Sequence, residues 1–230
     1  MKKNYILLTI LCSSVLVSAQ ISQPRNESLN ELVYYVGTNT DKYNNTTGSP
    51  YIKEAFSPAK INQLPQIHLV RFNIAENTIE VKKADGTVMS LDKTYQYRIV
   101  LQDSTQKIYE TRTYLDEKEK EKTTFFEKLH QETTYSLYAR ARIKYIPGRP
   151  EKSSYEPSVP AKFIALEPIY YITKPGNGKV ALQMLPKKKK TFLARFKSRA
   201  KEVDKYIKKQ RLRLDKKVDI IRILNFLYPP

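Results

Sequence analysis

Residues 133–146 read TTYSLYARARIKYI, and this stretch determines the fold class that the sequence predicts. Apolar side chains occupy every second position from Tyr135 to Tyr145, and the positions between them are mostly polar or basic. Since successive side chains of a β-strand point to opposite faces of a sheet, the alternation predicts a strand with one face in a hydrophobic core. The opposite face would carry four candidate site residues: Tyr138, Arg140, Arg142 and Lys144.

The basic face of this strand allows two interpretations. It could be a groove for an anionic ligand, with Tyr138 as a stacking platform. Alternatively, it is an ordinary solvent-facing surface whose cations pair with cross-strand carboxylates such as Glu110 or Glu127. The sequence favours the second interpretation, because charged side chains are common on the exposed face of a sheet.

The segments before this strand show the same alternation in shorter pieces. Residues 68–74 and 95–101 each place apolar or aromatic side chains on one face, and Asp85–Gly86 is typical of a tight hairpin turn. Further strands are predicted at residues 107–115 and 123–129. We therefore expect a mainly β protein of the α+β class, with an antiparallel β-sandwich or barrel-like domain over residues 51–186.

Proline interrupts the alternation after residue 146. The passage from Pro147 to Pro168 is predicted to be an extended segment that wraps the sheet, because proline cannot donate a hydrogen bond within a central strand. A last hairpin is expected from residues 169–173 and 179–185, with residues 174–178 as its loop.

Residues 187–227 carry most of the charge of the chain. They contain 16 Lys or Arg residues and four Asp or Glu residues, which leaves +12 of the total net charge of +18. Apolar residues recur at helical spacing between residues 191 and 209 and predict an amphipathic helix there. The residues of this predicted stripe are Phe192, Phe196, Ala200, Val203 and Ile207.

A second helix is predicted after Asp215, which would be its N-cap. Its buried side would consist of Val218, Ile221, Leu224 and Leu227. The two helices form a predicted basic hairpin over residues 187–230, with the apolar side inward and the cations outward. The candidate contacts with an anionic surface are Lys187, Lys188, Lys189, Lys190, Arg195, Arg199, Lys208 and Lys209.

The N terminus has the composition of a secretory signal peptide, with Lys2 and Lys3 before an apolar run that ends at Ser18–Ala19. We expect residues 1–19 to be removed, residues 20–50 to form a flexible lead-in and loop, and the mature chain to reach the periplasm or outer envelope of a Gram-negative bacterium. The one cysteine, Cys12, would leave with the signal. No later segment has the roughly 20 apolar residues of a transmembrane helix, so no span is expected after signal removal.

The sequence contains no motif for catalysis, metal binding or cofactor binding. It has two histidines, His68 and His130, and lacks a nucleophile elbow and a glycine-rich phosphate loop. We therefore assign no catalytic, metal-binding or cofactor-binding residues and expect no cofactor. The sequence favours a non-enzymatic protein.

The order of the segments resembles a group of uncharacterised exported proteins of Bacteroidota-type bacteria, in which a β-rich middle precedes a Lys-rich pair of helices. The matching pieces are SPYIKEAF at residues 49–56, VRFNI at 70–74 with IEV at 79–81, the four lysines before Phe192, and VDKYIKK at 203–209. The resemblance implies export and this architecture. It brings no activity or site residue.

Two functional hypotheses follow. In the first, a non-enzymatic envelope protein docks its basic helical face on an anionic membrane, an envelope polysaccharide or an acidic protein. In the alternative, the helices are structural and the function belongs to an unidentified cleft of the β domain, which could be enzymatic. The expected export and the lack of a recognition motif argue against nucleic acid.

Overall fold

The computed structural model describes residues 28–35, 43, 45–62, 64–116, 118, 120–153, 155–173 and 181–229. The predicted signal peptide at residues 1–19 and the predicted hairpin loop at residues 174–178 lie outside these ranges. So does most of the predicted lead-in between residues 20 and 44.

The described residues form twelve strands and four α-helices. The strands are β1 (Val33–Tyr35), β2 (Thr46–Thr47), β3 (Ser57–Ile61), β4 (Ile67–Asn73), β5 (Thr78–Lys82), β6 (Val88–Leu91), β7 (Arg98–Leu101), β8 (Ile108–Leu115), β9 (Glu121–Gln131), β10 (Ser136–Ile146), β11 (Ala161–Thr173) and β12 (Gln183–Met184). The helices are α1 (Leu29–Leu32), α2 (Lys189–Ala194), α3 (Ala200–Lys209) and α4 (Lys217–Leu227).

All of these strands belong to one curled sheet with the shape of a half-barrel. Eleven follow the order β1-β6-β5-β4-β3-β7-β8-β9-β10-β11-β12, and each neighbouring pair in this order is antiparallel. β2 pairs in parallel with β11. The predicted class, a mainly β antiparallel and barrel-like sheet followed by C-terminal helices, is confirmed.

The hairpin predicted at Asp85–Gly86 is also confirmed, because these residues connect the paired strands β5 and β6. The side chain of Asp85 accepts a hydrogen bond from the backbone N–H of Thr87 at 2.9 Å. Gly86 has a φ of +86°, a left-handed conformation that glycine adopts without steric cost.

The proline-dense passage contains a long strand, so its prediction as a wrapping segment is wrong for residues 161–168. β11 pairs with β10 along most of its length. Its register shifts between the pairs Arg140–Ile169 and Arg142–Leu166, so that Glu167 and Pro168 stand opposite one residue of β10. Such a bulge accommodates proline because the bulged residue does not need to donate a ladder hydrogen bond. The predicted last hairpin is present as the β11–β12 pair.

Two apolar clusters lie on the same face of the sheet. The first lies under β3–β9 and includes Ile61, Val81 and Phe125. The second, here called the helix–sheet cluster, combines β10 and β11 with the C-terminal helices. Its buried members are Tyr135, Leu137, Ala139, Tyr170, Ile172, Leu185, Phe192, Val203, Ile207, Leu212, Ile220, Ile223, Leu224 and Leu227.

The single helix predicted over residues 191–209 is interrupted. α2 ends at Ala194, a 3-10 helix covers Lys197–Arg199, and α3 begins at Ala200. Lys197 has a φ of +40°, which an α-helix does not allow. The predicted stripe is nevertheless buried at Phe192, Val203 and Ile207, because the interruption lets α2 and α3 both reach the helix–sheet cluster.

The start and the buried face of α4 also differ from the prediction. The N-cap is Lys216 rather than Asp215. Of the predicted buried side, Leu224 and Leu227 are buried and Ile221 is partly buried, but Val218 is 65% exposed. Ile220 and Ile223, which were not predicted, are buried. The carboxylate of Asp219 accepts a hydrogen bond from the backbone N–H of Arg213 at 3.0 Å, which ties the first turn to the preceding loop.

Buried tyrosines are expected to make the stability of the fold depend on pH in the alkaline range. Burial, aided by the charge of Glu132, raises the pKa of Tyr135 to about 12, and burial raises the pKa values of Tyr109 and Tyr138 further. A group whose pKa is raised on folding contributes stability that is complete below its unfolded pKa of about 10 and is lost as the pH rises toward the folded pKa. We expect the free energy of unfolding to fall between pH 10 and pH 12.

The variant Tyr109→Phe tests this expectation. Each tyrosine that stays protonated in the folded state costs about 1.4 kcal/mol at pH 11, so the variant should lose roughly that much less than the wild type between pH 8 and pH 11. Urea denaturation at the two pH values measures the loss. The exposed Tyr155 gives the control Tyr155→Phe, which should behave as the wild type. Equal losses in all three proteins would contradict the expectation.

Candidate functional site

The C-terminal helices are fixed to the sheet through their inner side. The hydroxyl of Tyr135 donates to Asn225 Oδ1 at 2.5 Å, and the hydroxyl of Thr134 donates to the carbonyl of Tyr228 at 3.2 Å. Between α3 and α4 the rings of Tyr206 and Phe226 stack with centroids 4.1 Å apart. The outer surface of the helices therefore has a defined orientation with respect to the sheet.

The outer side of α3 carries a row of three lysines, Lys201, Lys205 and Lys209, here called the lysine row. The spacing of four residues places them on one side of the helix. At 100° per residue this side lies opposite Val203 and Ile207, which are buried in the helix–sheet cluster. All three lysines are exposed, and no carboxylate of the described residues pairs with them.

Four of the eight predicted contacts with an anionic surface are, like the lysine row, exposed cations without an ion pair among the described residues. Lys187, Lys188, Lys190 and Lys209 are exposed and form no ion pair within the part of the chain that the structure describes. The candidate set omitted Lys201 and Lys205. Their place on the side of α3 opposite the apolar stripe was the sequence signal that could have identified them.

Two other predicted contacts, Lys189 and Lys208, bind the same carboxylate. Their Nζ atoms lie 2.5 Å and 2.8 Å from the carboxylate oxygens of Asp204. Hydrogen bonds from Lys189 and Lys208 hold the pKa of Asp204 below its ordinary value. Since Lys189 belongs to α2 and Lys208 to α3, the carboxylate connects the two helices. These cations are partly neutralised within the protein.

The last two predicted contacts, Arg195 and Arg199, are occupied by the protein itself. Arg195 donates to the carbonyl of Met184 and, at 2.7 Å, to the side chain of Gln183. Arg199 donates to the carbonyl of Leu227 at 2.7 Å and forms an ion pair with Glu202 at 3.0 Å. The carbonyls that α4 leaves unpaired at its C-terminal end thereby gain a donor. Both arginines have a structural role.

On the strand face, Tyr138 is not the exposed platform that alternation predicts. It is 2% exposed and packs with Tyr114, Phe126, Tyr171 and Leu182 in an aromatic cluster on the face of the sheet opposite the helices. The sheet is therefore apolar on both faces in this region. A ligand cannot stack on Tyr138 in this arrangement.

The hydroxyl of Tyr138 takes part in a buried polar group around Glu110. Glu110 accepts hydrogen bonds from Tyr138 at 2.8 Å, from Arg98 at 2.9 Å and from Lys128 at 3.0 Å. Burial favours the neutral form of Glu110, but the hydrogen bonds from Tyr138 and Lys128 outweigh it and hold the pKa below its ordinary value. The carboxylate is thus charged, and both of its oxygens accept hydrogen bonds.

The three basic residues of the strand face have different surroundings. Arg140 is half-buried, and its Nη1 donates to the hydroxyl of Tyr114 at 2.6 Å. Arg142 is half-buried, and Lys144 is exposed. Within the described residues none of the three forms the expected ion pair with Glu110 or Glu127, whose partners include Lys128 and Lys107 respectively.

The described residues contain no group of three or more His, Cys, Asp or Glu side chains placed to hold a metal ion. Among the same residues, no helix has the length and apolar character needed to cross a membrane. Comparisons with models of protein families, with curated protein sequences and with solved structures find no match for this chain.

Proposed function

We propose that this chain is a non-enzymatic exported envelope protein that docks on an anionic surface through the outer side of α2 and α3. The observation that carries the proposal is the lysine row, which is exposed, points away from the helix–sheet cluster and lacks carboxylate partners among the described residues. The exposed Lys187, Lys188 and Lys190 extend the same basic segment. The signal-like N terminus of the sequence supports export.

The physical basis is the attraction between several fixed cations and a surface of negative charge. A Lys or Arg side chain near an anionic membrane contributes about 1 kcal/mol, and the contributions accumulate when the cations lie on one side. The packed inner side of the helices favours this arrangement, because the backbone under the lysines needs no ordering upon binding. The large apolar side chains of α2 and α3 pack in the helix–sheet cluster, so the docking would rest on charge rather than on insertion of apolar side chains into the membrane.

Vesicle binding tests the proposal directly. We expect the chain to bind vesicles of phosphatidylglycerol and phosphatidylcholine but not vesicles of phosphatidylcholine alone. The triple variant of the lysine row, Lys201→Gln, Lys205→Gln and Lys209→Gln, should bind roughly 100-fold more weakly, which corresponds to about 1 kcal/mol per lysine. Co-sedimentation at increasing lipid concentration measures the affinity.

The matched control removes three exposed lysines of the β region, Lys60→Gln, Lys152→Gln and Lys162→Gln, and changes the net charge equally. It should keep most of the binding. Salt at 1 M should abolish the binding, because the screening length falls to about 3 Å. Equal losses in both triple variants, or binding that persists at 1 M salt, would overturn the proposal. Binding to alginate in place of the vesicles would identify an acidic polysaccharide as the partner.

A further inference from the structure

A cleft of about 540 Å³ opens beside the tip of the β8–β9 hairpin. Tyr171 lines it, whereas its neighbours Tyr170 and Ile172 belong to the helix–sheet cluster. Since adjacent residues of a strand point to opposite faces, the cleft lies on the face of the sheet away from the helices. It is therefore separate from the lysine row.

Cations dominate the wall of this cleft. Among the described residues its lining includes Lys118, Lys120, Lys122 and Arg140 and one carboxylate, that of Asp116. Asp116 already has its partners, because Lys122 Nζ lies 2.8 Å from one oxygen and the backbone N–H groups of Lys118 and Lys120 donate to the other at 2.8 Å and 3.0 Å. These hydrogen bonds, that of Lys122 first, lower the pKa of Asp116 to about 2. The charges of Lys118, Lys120 and Arg140 remain without a counterion among the described residues.

The protein holds the guanidinium of Arg140 in place through Tyr114. This guanidinium lies 4.9 Å from the centre of the Tyr114 ring and donates one hydrogen bond to the hydroxyl of that residue. A guanidinium has five N–H donors in a planar fork, so the remaining donors are available to a second acceptor. An oxyanion with two acceptor oxygens fits this geometry.

Apolar side chains also line the cleft. Met184 is 41% exposed, and it lines the cleft with Ile169 and Tyr171. The volume lies within the range of small-molecule sites, whereas a bare oxyanion would fill only a small part of it. The complementary ligand therefore has a compact, highly charged group and an apolar body.

We propose that this cleft binds an organic phosphate or sulfate ester, with the oxyanion between Arg140, Lys118 and Lys120 and the organic body against Ile169 and Met184. The two ester types share the tetrahedral oxyanion that the cations recognise. The proposal does not depend on the docking of the helices.

Calorimetric titration with phenyl phosphate, phenyl sulfate, inorganic phosphate and phenol tests the proposal. We expect at least one of the esters to bind at least about tenfold more tightly than inorganic phosphate, and phenol to show no binding, because the ligand must contact both the cations and the apolar side chains of the cleft. The ester that binds more tightly identifies the preferred oxyanion. Failure of both esters to bind, or equal affinity for inorganic phosphate and the better ester, would overturn the proposal.

Variants distinguish binding in the cleft from attraction to the general positive charge of the protein. Lys118→Gln with Lys120→Gln should weaken ester binding at least about tenfold, and these side chains are exposed, so the fold should remain intact. Lys60→Gln with Lys152→Gln removes the same charge elsewhere and should leave the affinity unchanged. The triple variant of the lysine row should also bind the ester normally, even if it no longer binds vesicles. Equal weakening by the two lysine pairs would exclude the cleft as the site.

Discussion

Truncation of the chain after Pro186 is expected to abolish cooperative folding of the sheet. The helices cover Tyr135 and the strand residues Leu137, Tyr170 and Ile172, and all four would become exposed to water. Full burial of a large apolar side chain contributes about 1.5–3 kcal/mol, so the loss would be roughly 6–12 kcal/mol. This is comparable to the whole stability of a typical domain, about 5–15 kcal/mol. Loss of near-UV circular dichroism and binding of a hydrophobic dye would report it.

A single substitution tests the same packing in the full chain. Leu224 of α4 is completely buried, and Leu224→Ala should lower the free energy of unfolding by about 2–5 kcal/mol through a cavity in the helix–sheet cluster. Val218→Ala on the exposed side of the same helix should change it by less than about 0.5 kcal/mol. Urea denaturation compares the two variants. Similar effects for both, or a truncated chain that unfolds cooperatively, would show that the sheet is stable without the helices.

Removal of the charge of Glu110 is expected to destabilise the centre of the sheet by about 3–5 kcal/mol. In Glu110→Gln the ammonium of Lys128 would be left without its carboxylate, and Lys128 is also largely buried. The guanidinium of Arg98 would lose the same partner. An uncompensated buried charge is costly because the interior solvates it poorly. The free energy of unfolding at pH 7 measures the effect.

The control for this variant is Glu121→Gln, an exposed carboxylate in the next strand, which should have little effect. The pH dependence gives a second check. Because the pKa of Glu110 is lowered on folding, its contribution is present above the unfolded pKa and is lost as the pH falls through the folded pKa. The difference between wild type and Glu110→Gln should therefore shrink below about pH 4. A difference that stays constant from pH 7 to pH 3 would contradict an ionised Glu110.

The strands were predictable because their alternation reflects a physical requirement that acts locally. A strand with one buried face must repeat its apolar residues with period two, and the segments around Val70 and Leu137 do so. The hairpin at Gly86 was predictable for a similar reason, since a left-handed turn residue leaves a clear signal in the sequence. The basic C-terminal segment was visible from its charge alone.

The features that the sequence did not reveal depend on contacts between distant residues. Tyr138 occupies the polar side of an alternating strand, and only the arrival of Tyr114, Phe126 and Leu182 on that face makes the position buried. Val218 and Ile220 have similar hydropathy, and the face of α4 that is buried depends on how the helix meets the sheet. Local sequence patterns therefore do not show that Tyr138 is buried or which face of α4 is buried.

The candidate contacts with an anionic surface were likewise predictable only in part. The number of cations near residues 187–209 was known from the sequence, but their availability depends on the tertiary structure. Lys189 and Lys208 meet at Asp204 because the chain is interrupted between α2 and α3. Of the residues that line the cleft beside the β8–β9 hairpin, only Arg140 was a candidate site residue from the sequence. The lysines of the cleft come from another strand pair.

The bulge at Pro168 also lies on an edge of β11 that is only partly paired. On the edge away from β10, β11 pairs with β2 at residues 161–162 and with β12 at residues 171–172. On this edge no described strand pairs with residues 164–169. An unpaired edge of this kind can act as a template for aggregation. Here an incoming strand would meet a distorted register, a proline without an N–H group and the exposed Glu167. Pro168, which argued against a strand in the sequence, therefore also hinders the pairing of a second molecule with the open edge of β11.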